Sequence, residues 1–146
     1  MRRFLRIIFF CVIPLQILSI LLGEELRIAT YNLDNYLVAD RYVDGRWRPS
    51  YPKPESEKTI IRQIIKEVSP DVLVLQEMGS VAFLEELRAD MASEGTHYDY
   101  FLHMEGADQN RYLAVLSKLA PKAVLKHKDL NFKYFEGREV VKRGML

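Results

Sequence analysis

Ser69-Pro70-Asp71-Val72-Leu73-Val74-Leu75-Gln76-Glu77 is a short apolar run that ends abruptly in an amide and a carboxylate. Four consecutive branched aliphatic residues without polar alternation predict a strand covered on both faces. Glu77 then emerges at the carboxyl end of that strand, where α/β architectures hold ligands and place chemistry. On this stretch alone the carboxylate has two readings, a surface acid opening a loop or a group with a metal or proton-transfer role.

Upstream, Ser56 to Val68 carries Ile60, Ile61, Ile64, Ile65 and Val68 at helical spacing, with Arg62, Lys66 and Glu67 turned away. Ser56 is the expected N-cap and Pro70 the stop. Before it, Leu26-Arg27-Ile28-Ala29-Thr30-Tyr31-Asn32 predicts a strand, with Leu26, Ile28, Thr30 and Asn32 on its core-facing side. Asn32 closes this strand as Glu77 closes the later one. Between Asp34 and Glu55 a long loop rich in Tyr, Arg and Pro is expected, with Tyr36, Tyr42, Trp47 and Tyr51 pinning it to the body or stacking on a ligand. Strand, loop, helix and strand in that order describe a crossover unit, not a meander.

Downstream, Val81 to Ser93 predicts a second helix with Phe83, Leu84, Leu87 and Met91 on one face and Gly95 as its breaker. Tyr98–Met104 and Tyr112–Ser117 predict a strand pair with Asp108 and Arg111 at its loop end. Lys122–Leu130 is expected as a further strand, Phe132–Gly137 as a connection and Arg138–Leu146 as a last strand. An apolar strand running to Leu146 predicts that further sequence belongs to this fold.

The 146 residues are 49% hydrophobic and carry a net charge of +1, enough for a sizeable core and without a global basic field. Lys118, Lys122, Lys126, Lys128, Lys133, Arg138, Lys142 and Arg143 nevertheless crowd the C-terminal part, as a solvated face or a phosphate-attracting one. Cys11 is the only cysteine, which excludes a disulfide framework and a cysteine-rich metal site. His97, His103 and His127 lack metal-ligand spacing, and no Gly-rich phosphate loop or Gly-x-Ser-x-Gly elbow occurs.

Residues 1–23, with Arg2 and Arg3 ahead of a mostly apolar segment, have the order of an export signal. Cleavage would give a secreted or periplasmic protein. Retention would make the segment a membrane anchor and the chain's membrane contact. Residues 24–146 form the remaining domain.

A strand-end Asn and a strand-end Glu supply oxygen ligands of the kind a hard divalent cation takes, with water and substrate phosphate completing its shell. Four segments, Leu26 to Asn32, Pro70 to Glu77, Leu113 to Lys118 and Lys142 to Leu146, resemble in order the first half of the endonuclease/exonuclease/phosphatase superfamily. The resemblance implies an α/β fold, a four-layered α/β/β/α sandwich of the DNase I-like kind, of which this chain holds the N-terminal part. It implies phosphoester hydrolysis dependent on Mg²⁺, with Mn²⁺ as an alternative. It further implies Asn32 and Glu77 as catalytic residues and metal ligands, and nucleic acid or a phospholipid head group as the phosphoester substrate. The family's Gly-Asp-x-Asn segment and terminal Asp-His pair have no counterparts, so this chain alone is expected to be inactive. A non-catalytic exported binding module and the product of a broken reading frame are the rival expectations.

Overall fold

A computed structural model describes residues 25–143. Residues 1–24, where the export signal is expected, and the terminal Gly144-Met145-Leu146 lie outside the described residues. Among those described, no helix is long and apolar enough to cross a membrane.

One four-stranded mixed sheet organises the chain in the order β1-β4-β6-β5. It comprises β1 (Ile28–Tyr36), β4 (Val72–Met78), β5 (Tyr100–Met104) and β6 (Tyr112–Ser117). β1 and β4 pair in parallel, from Ile28 opposite Val72 to Asn32 opposite Gln76. This is the crossover expected from the order of elements, because parallel neighbours cannot be joined by a tight turn. The β4–β6 and β5–β6 pairs are antiparallel.

Helices α1 (Glu55–Val68) and α2 (Val81–Ser93) supply Ile61, Ile65, Leu84, Leu87 and Met91 to the core. These pack with Leu33, Leu73, Leu75, Ala114 and Leu116 from alternate positions of the sheet strands. Val72, Val74 and Val115 point to the other side and are only half-buried, so in the described residues β4 is fully covered on one face, not two. The same parity corrects β1. Ala29, Tyr31 and Leu33 face the helices, while Ile28, Thr30 and Asn32 are exposed.

The isoleucine stripe of α1 is also turned from its expected setting. Ile60, Ile64 and Val68 are exposed, whereas Lys58 and Arg62 are buried. The cause is acidic: Glu86 and Asp90 of α2 and Glu94 at its C-cap face these cations. Arg62 donates to Glu94 at 2.7 Å, Asp90 at 3.2 Å and Glu55 at 2.8 Å, and Lys58 pairs with Glu86. An ionic seam therefore joins the helices, and charge satisfaction, not the apolar stripe, sets the rotation of α1. Its first turn begins at Glu55 with Pro54, not Ser56, at the N-cap.

Three other segments differ from expectation. The stretch after Asp34 is a hairpin, not a loop, of β2 (Ala39–Val43) and β3 (Arg46–Tyr51). Asp44 and Gly45 join its strands with φ of 53° and 75°, the left-handed pair that tight hairpins require. Lys122–Leu130 forms no strand. Instead β7 (Asn131–Tyr134) and β8 (Gly137–Val140) make a second, largely exposed hairpin where a connection and a long strand were expected. Its residues pair with each other and not with the main sheet, so strand-like composition there gives a satellite hairpin.

Candidate active site

The regular β1–β4 ladder ends at Asn32 and Gln76 and resumes only at Tyr36 and Met78. Between those pairs β1 contributes Leu33, Asp34 and Asn35, against Glu77 alone in β4. The mismatch is absorbed in left-handed backbone at Asp34 (φ 48°), Asn35 (φ 59°) and Glu77 (φ 60°). Asp and Asn tolerate that region, but a Glu there is uncommon and costs about 1–2 kcal/mol relative to right-handed backbone. Such a bulge re-aims a side chain that regular alternation would direct elsewhere.

The re-aimed Glu77 carboxylate is held at two oxygens. Asn35 donates its backbone N–H to Oε2 at 3.2 Å, and Arg143 donates Nη2 to Oε1 at 3.2 Å. Asn32 is exposed at the same strand edge, and its Oδ1 accepts the Asp34 N–H at 3.0 Å. The register thus brings both expected site residues to one edge, with Asn35 bridging from the Asn32 turn to Glu77.

Arg111 joins this group by donating Nε to Asn35 Oδ1 at 2.7 Å. Asp108 orders the loop beneath it, accepting the N–H of Asn110 at 3.0 Å and of Arg111 at 3.1 Å. The Asn110 N–H foremost holds the Asp108 carboxyl below the usual range, with the Arg111 N–H and the Arg111 and Arg143 charges adding to it. Asp108 also donates its own N–H to the Lys142 carbonyl at 2.7 Å, which fastens the segment carrying Arg143. Gly106 permits this approach, since a Cβ there would lie 2.8 Å from the same carbonyl.

Two cations brace the start of the hairpin. Lys53, buried, donates to the Asp34 carbonyl at 2.8 Å and pairs with Glu57 at 2.7 Å. Arg41 donates to the carbonyls of Leu37, at 3.0 Å, and Asn35. The histidines take no part: His103 bonds the Gly79 carbonyl at 2.9 Å, and His97 and His127 are exposed.

Among the described residues no group of three or more His, Cys, Asp or Glu gathers as a closed metal site. The donors at the edge, one carboxylate and neighbouring amide oxygens, are hard and few. That set fits a hydrated Mg²⁺, which binds through one or two carboxylates and keeps several waters. It does not fit a soft-metal cage.

Sequence reasoning had placed Arg111 at a loop end without a role and counted Arg143 only in the basic run. The Lys142-Arg143-Gly144 segment that carries part of the family resemblance was the available signal for Arg143. Asn35 was missed. Its signal was the Asp34-Asn35 pair, two residues tolerant of left-handed backbone immediately after a strand.

The acid and amides lie at the carboxyl edge of a parallel strand pair, the place where open α/β sheets commonly hold ligands. The chain belongs to the endonuclease/exonuclease/phosphatase family, whose family model matches residues 29–144. Its architecture agrees with part of a DNase I-like α/β fold, and the chemistry associated with the family is that of phosphoester hydrolases. Searches of the curated proteins and of the solved structures find no match.

Proposed function

We propose that this chain carries the cation-binding part of an exported, Mg²⁺-dependent phosphoesterase, with Glu77 and Asn32 as ligands and Mn²⁺ as an alternative cation. The observation that supports the reading is Glu77 itself: a carboxylate at a strand end, in an uncommon backbone state, anchored at both oxygens. Strain retained at such a position supports a role in binding or catalysis. When bound there, the cation supplies charge stabilisation for phosphoryl oxygens.

The chain's own groups do the positioning. The Asn35 N–H orients the Glu77 carboxylate, and Asp108 and Asn35 together orient Arg111. Arg111 and Arg143 are the guanidinium groups of this edge, suited to receive the non-bridging oxygens of a phosphate. No Gly-Asp-x-Asn segment and no adjacent Asp-His pair occurs in the 146 residues. The groups that would activate water and hold the phosphate in the family are thus unfilled here. Turnover by this chain alone is therefore expected to be absent or very slow. The basic-then-apolar residues 1–23 support export.

Cation binding is the direct test. Titration of the full chain with Mn²⁺, followed by electron paramagnetic resonance, is expected to show saturable binding that competes with Mg²⁺. Glu77→Gln should weaken it by about tenfold or more, the effect of removing a charged ligand from a sparse site. Equal affinity in the two proteins would remove Glu77 from the cation site.

A further inference from the structure

Lys53, just ahead of α1, has its side chain only 3% exposed. Lysine is almost never buried unless paired, and its partner Glu57, at 2.7 Å, is itself half-exposed. A methionine of similar length would fill the space without the cost of a buried charge. The ammonium instead donates to the Asp34 carbonyl at 2.8 Å. That carbonyl and the Asn35 N–H belong to one peptide unit, which is trans, so the two groups point in opposite directions. The N–H end donates to Glu77 Oε2 at 3.2 Å. Lys53 and Glu77 thus hold opposite ends of one rigid plane, which cannot turn over without breaking both contacts.

The backbone favours such a turn. Asn35 holds φ of 59°, and a half-turn of the plane would carry that angle to about −120°, inside the ordinary extended region. The turned unit would aim a carbonyl oxygen at the Glu77 carboxylate and repel it. Arg41 fastens the next unit at the Asn35 carbonyl, but it is the Asp34–Asn35 unit whose N–H meets Glu77. We propose that Lys53 is a positioning residue of this edge: from the start of α1 it locks the Asp34–Asn35 plane with its N–H toward Glu77, and so presets the carboxylate for a divalent cation. The presetting for a cation rests on the phosphoesterase reading; the lock on the plane does not. Charge and position predict opposite results. Lys53 is a cation beside a site proposed for another cation, so on charge alone its removal strengthens binding. As a lock its removal weakens binding, because the groups that orient a metal ligand govern its affinity.

Two measurements on the full chain separate these parts. Hydrogen exchange followed by NMR in EDTA reads the lock without metal. The Asn35 N–H is expected to exchange about tenfold faster in the Lys53→Met chain than in the parent, while the Leu75 N–H, in the middle of β4, keeps its rate. Mn²⁺ titration followed by electron paramagnetic resonance reads the presetting. Lys53→Met should bind Mn²⁺ about fivefold more weakly, a smaller loss than removal of the Glu77 carboxylate itself. Lys53→Gln, polar but too short to reach the carbonyl, should behave alike and serves if the methionine chain does not fold. Unchanged exchange at Asn35, or exchange raised equally at Leu75, would overturn the lock. Equal or tighter Mn²⁺ binding by Lys53→Met, with Glu77→Gln weakened, would overturn the presetting. If Glu77→Gln binds Mn²⁺ as the parent does, the cation reading falls and the exchange at Asn35 still decides the lock.

Discussion

Asn35 donates its backbone N–H to the Glu77 carboxylate at 3.2 Å, and both residues hold left-handed backbone, with φ of 59° and 60°. Two strands break register at the same level, and one hydrogen bond joins the breaks. The carboxylate is therefore positioned by backbone shape before any ligand arrives.

Backbone shape at Glu77 can be separated from its charge. Glu77→Gly and Glu77→Ala both remove the carboxylate, but only glycine occupies the left-handed region without Cβ crowding. The glycine variant is expected to be more stable than the alanine variant by about 1 kcal/mol in urea unfolding, with cation binding lost in both. Equal stability, or a more stable alanine variant, would mean that the backbone there is unstrained.

Arg143 pairs with Glu77, the proposed cation ligand, at 3.2 Å. Arg143→Gln is expected to leave Mn²⁺ affinity equal or higher, since it removes a positive charge beside Glu77. Inorganic phosphate should bind the Mn²⁺-loaded protein about tenfold more weakly, in line with one charge-assisted hydrogen bond. Isothermal titration with each ligand measures both. A parallel loss of Mn²⁺ affinity would show instead that Arg143 chiefly holds Glu77 in place.

The parts legible in the sequence were those where one force dominates. Val72 to Leu75 had to be a strand, though one covered on one face and not the two expected, and α2 and the β5–β6 pair followed from periodicity and a turn-rich break. The misreadings fall where forces compete. In α1 five branched aliphatic residues promised the buried stripe, yet acids on α2 drew Lys58 and Arg62 inward instead. A single helix pattern carries no information about charges on its neighbour. In β1 both faces carry apolar positions, and the parity expected from Leu26, Ile28, Thr30 and Asn32 is reversed by the side the helices take. The β2–β3 hairpin was obscured by Pro49, by Pro52 and Pro54 just after it and by its aromatics, although Asp44-Gly45 between two alternating stretches is a strong turn signal. The sequence put Asn32 and Glu77 near strand ends, and the β1–β4 register sets both at one edge; the Asn35, Arg111 and Arg143 contacts depend on a bulge that no local pattern encodes.

Acid should weaken the fold through carboxylates held below their usual range. The Arg27 N–H and then Lys118 lower Asp71, Arg62 and then Lys66 lower Glu94, and the Asn110 N–H lowers Asp108. A depressed folded value means that the unfolded chain binds more protons in acid. Stability from these groups is thus complete above the ordinary carboxylate range near about 4 and falls as pH drops through it toward the folded values. Urea midpoints measured from neutral pH downward should decline over that interval. Asp71→Asn should lower the midpoint at neutral pH and flatten part of the decline; an unchanged profile would remove Asp71 from the set.

Tyr36 offers a case where deletion of a polar group should help. Its side chain lies in the core, its hydroxyl has no protein hydrogen-bond partner among the described residues, and burial pushes its pKa far up. A buried hydroxyl without a partner carries a desolvation penalty that phenylalanine lacks, whereas the ring is well used, with Phe83 edge-on at 6.3 Å and the Lys58 ammonium 5.4 Å from its centroid. Tyr36→Phe keeps both ring contacts. It is expected to raise the unfolding free energy by about 1 kcal/mol with the urea dependence unchanged. Tyr36→Leu, which keeps apolar volume but loses the ring, should instead destabilise, because the Lys58 charge then faces the core without its aromatic surface. Chemical denaturation of the three proteins decides the point: a less stable Tyr36→Phe chain would mean that the hydroxyl is bound to something within the fold, such as an ordered water, and contributes to it.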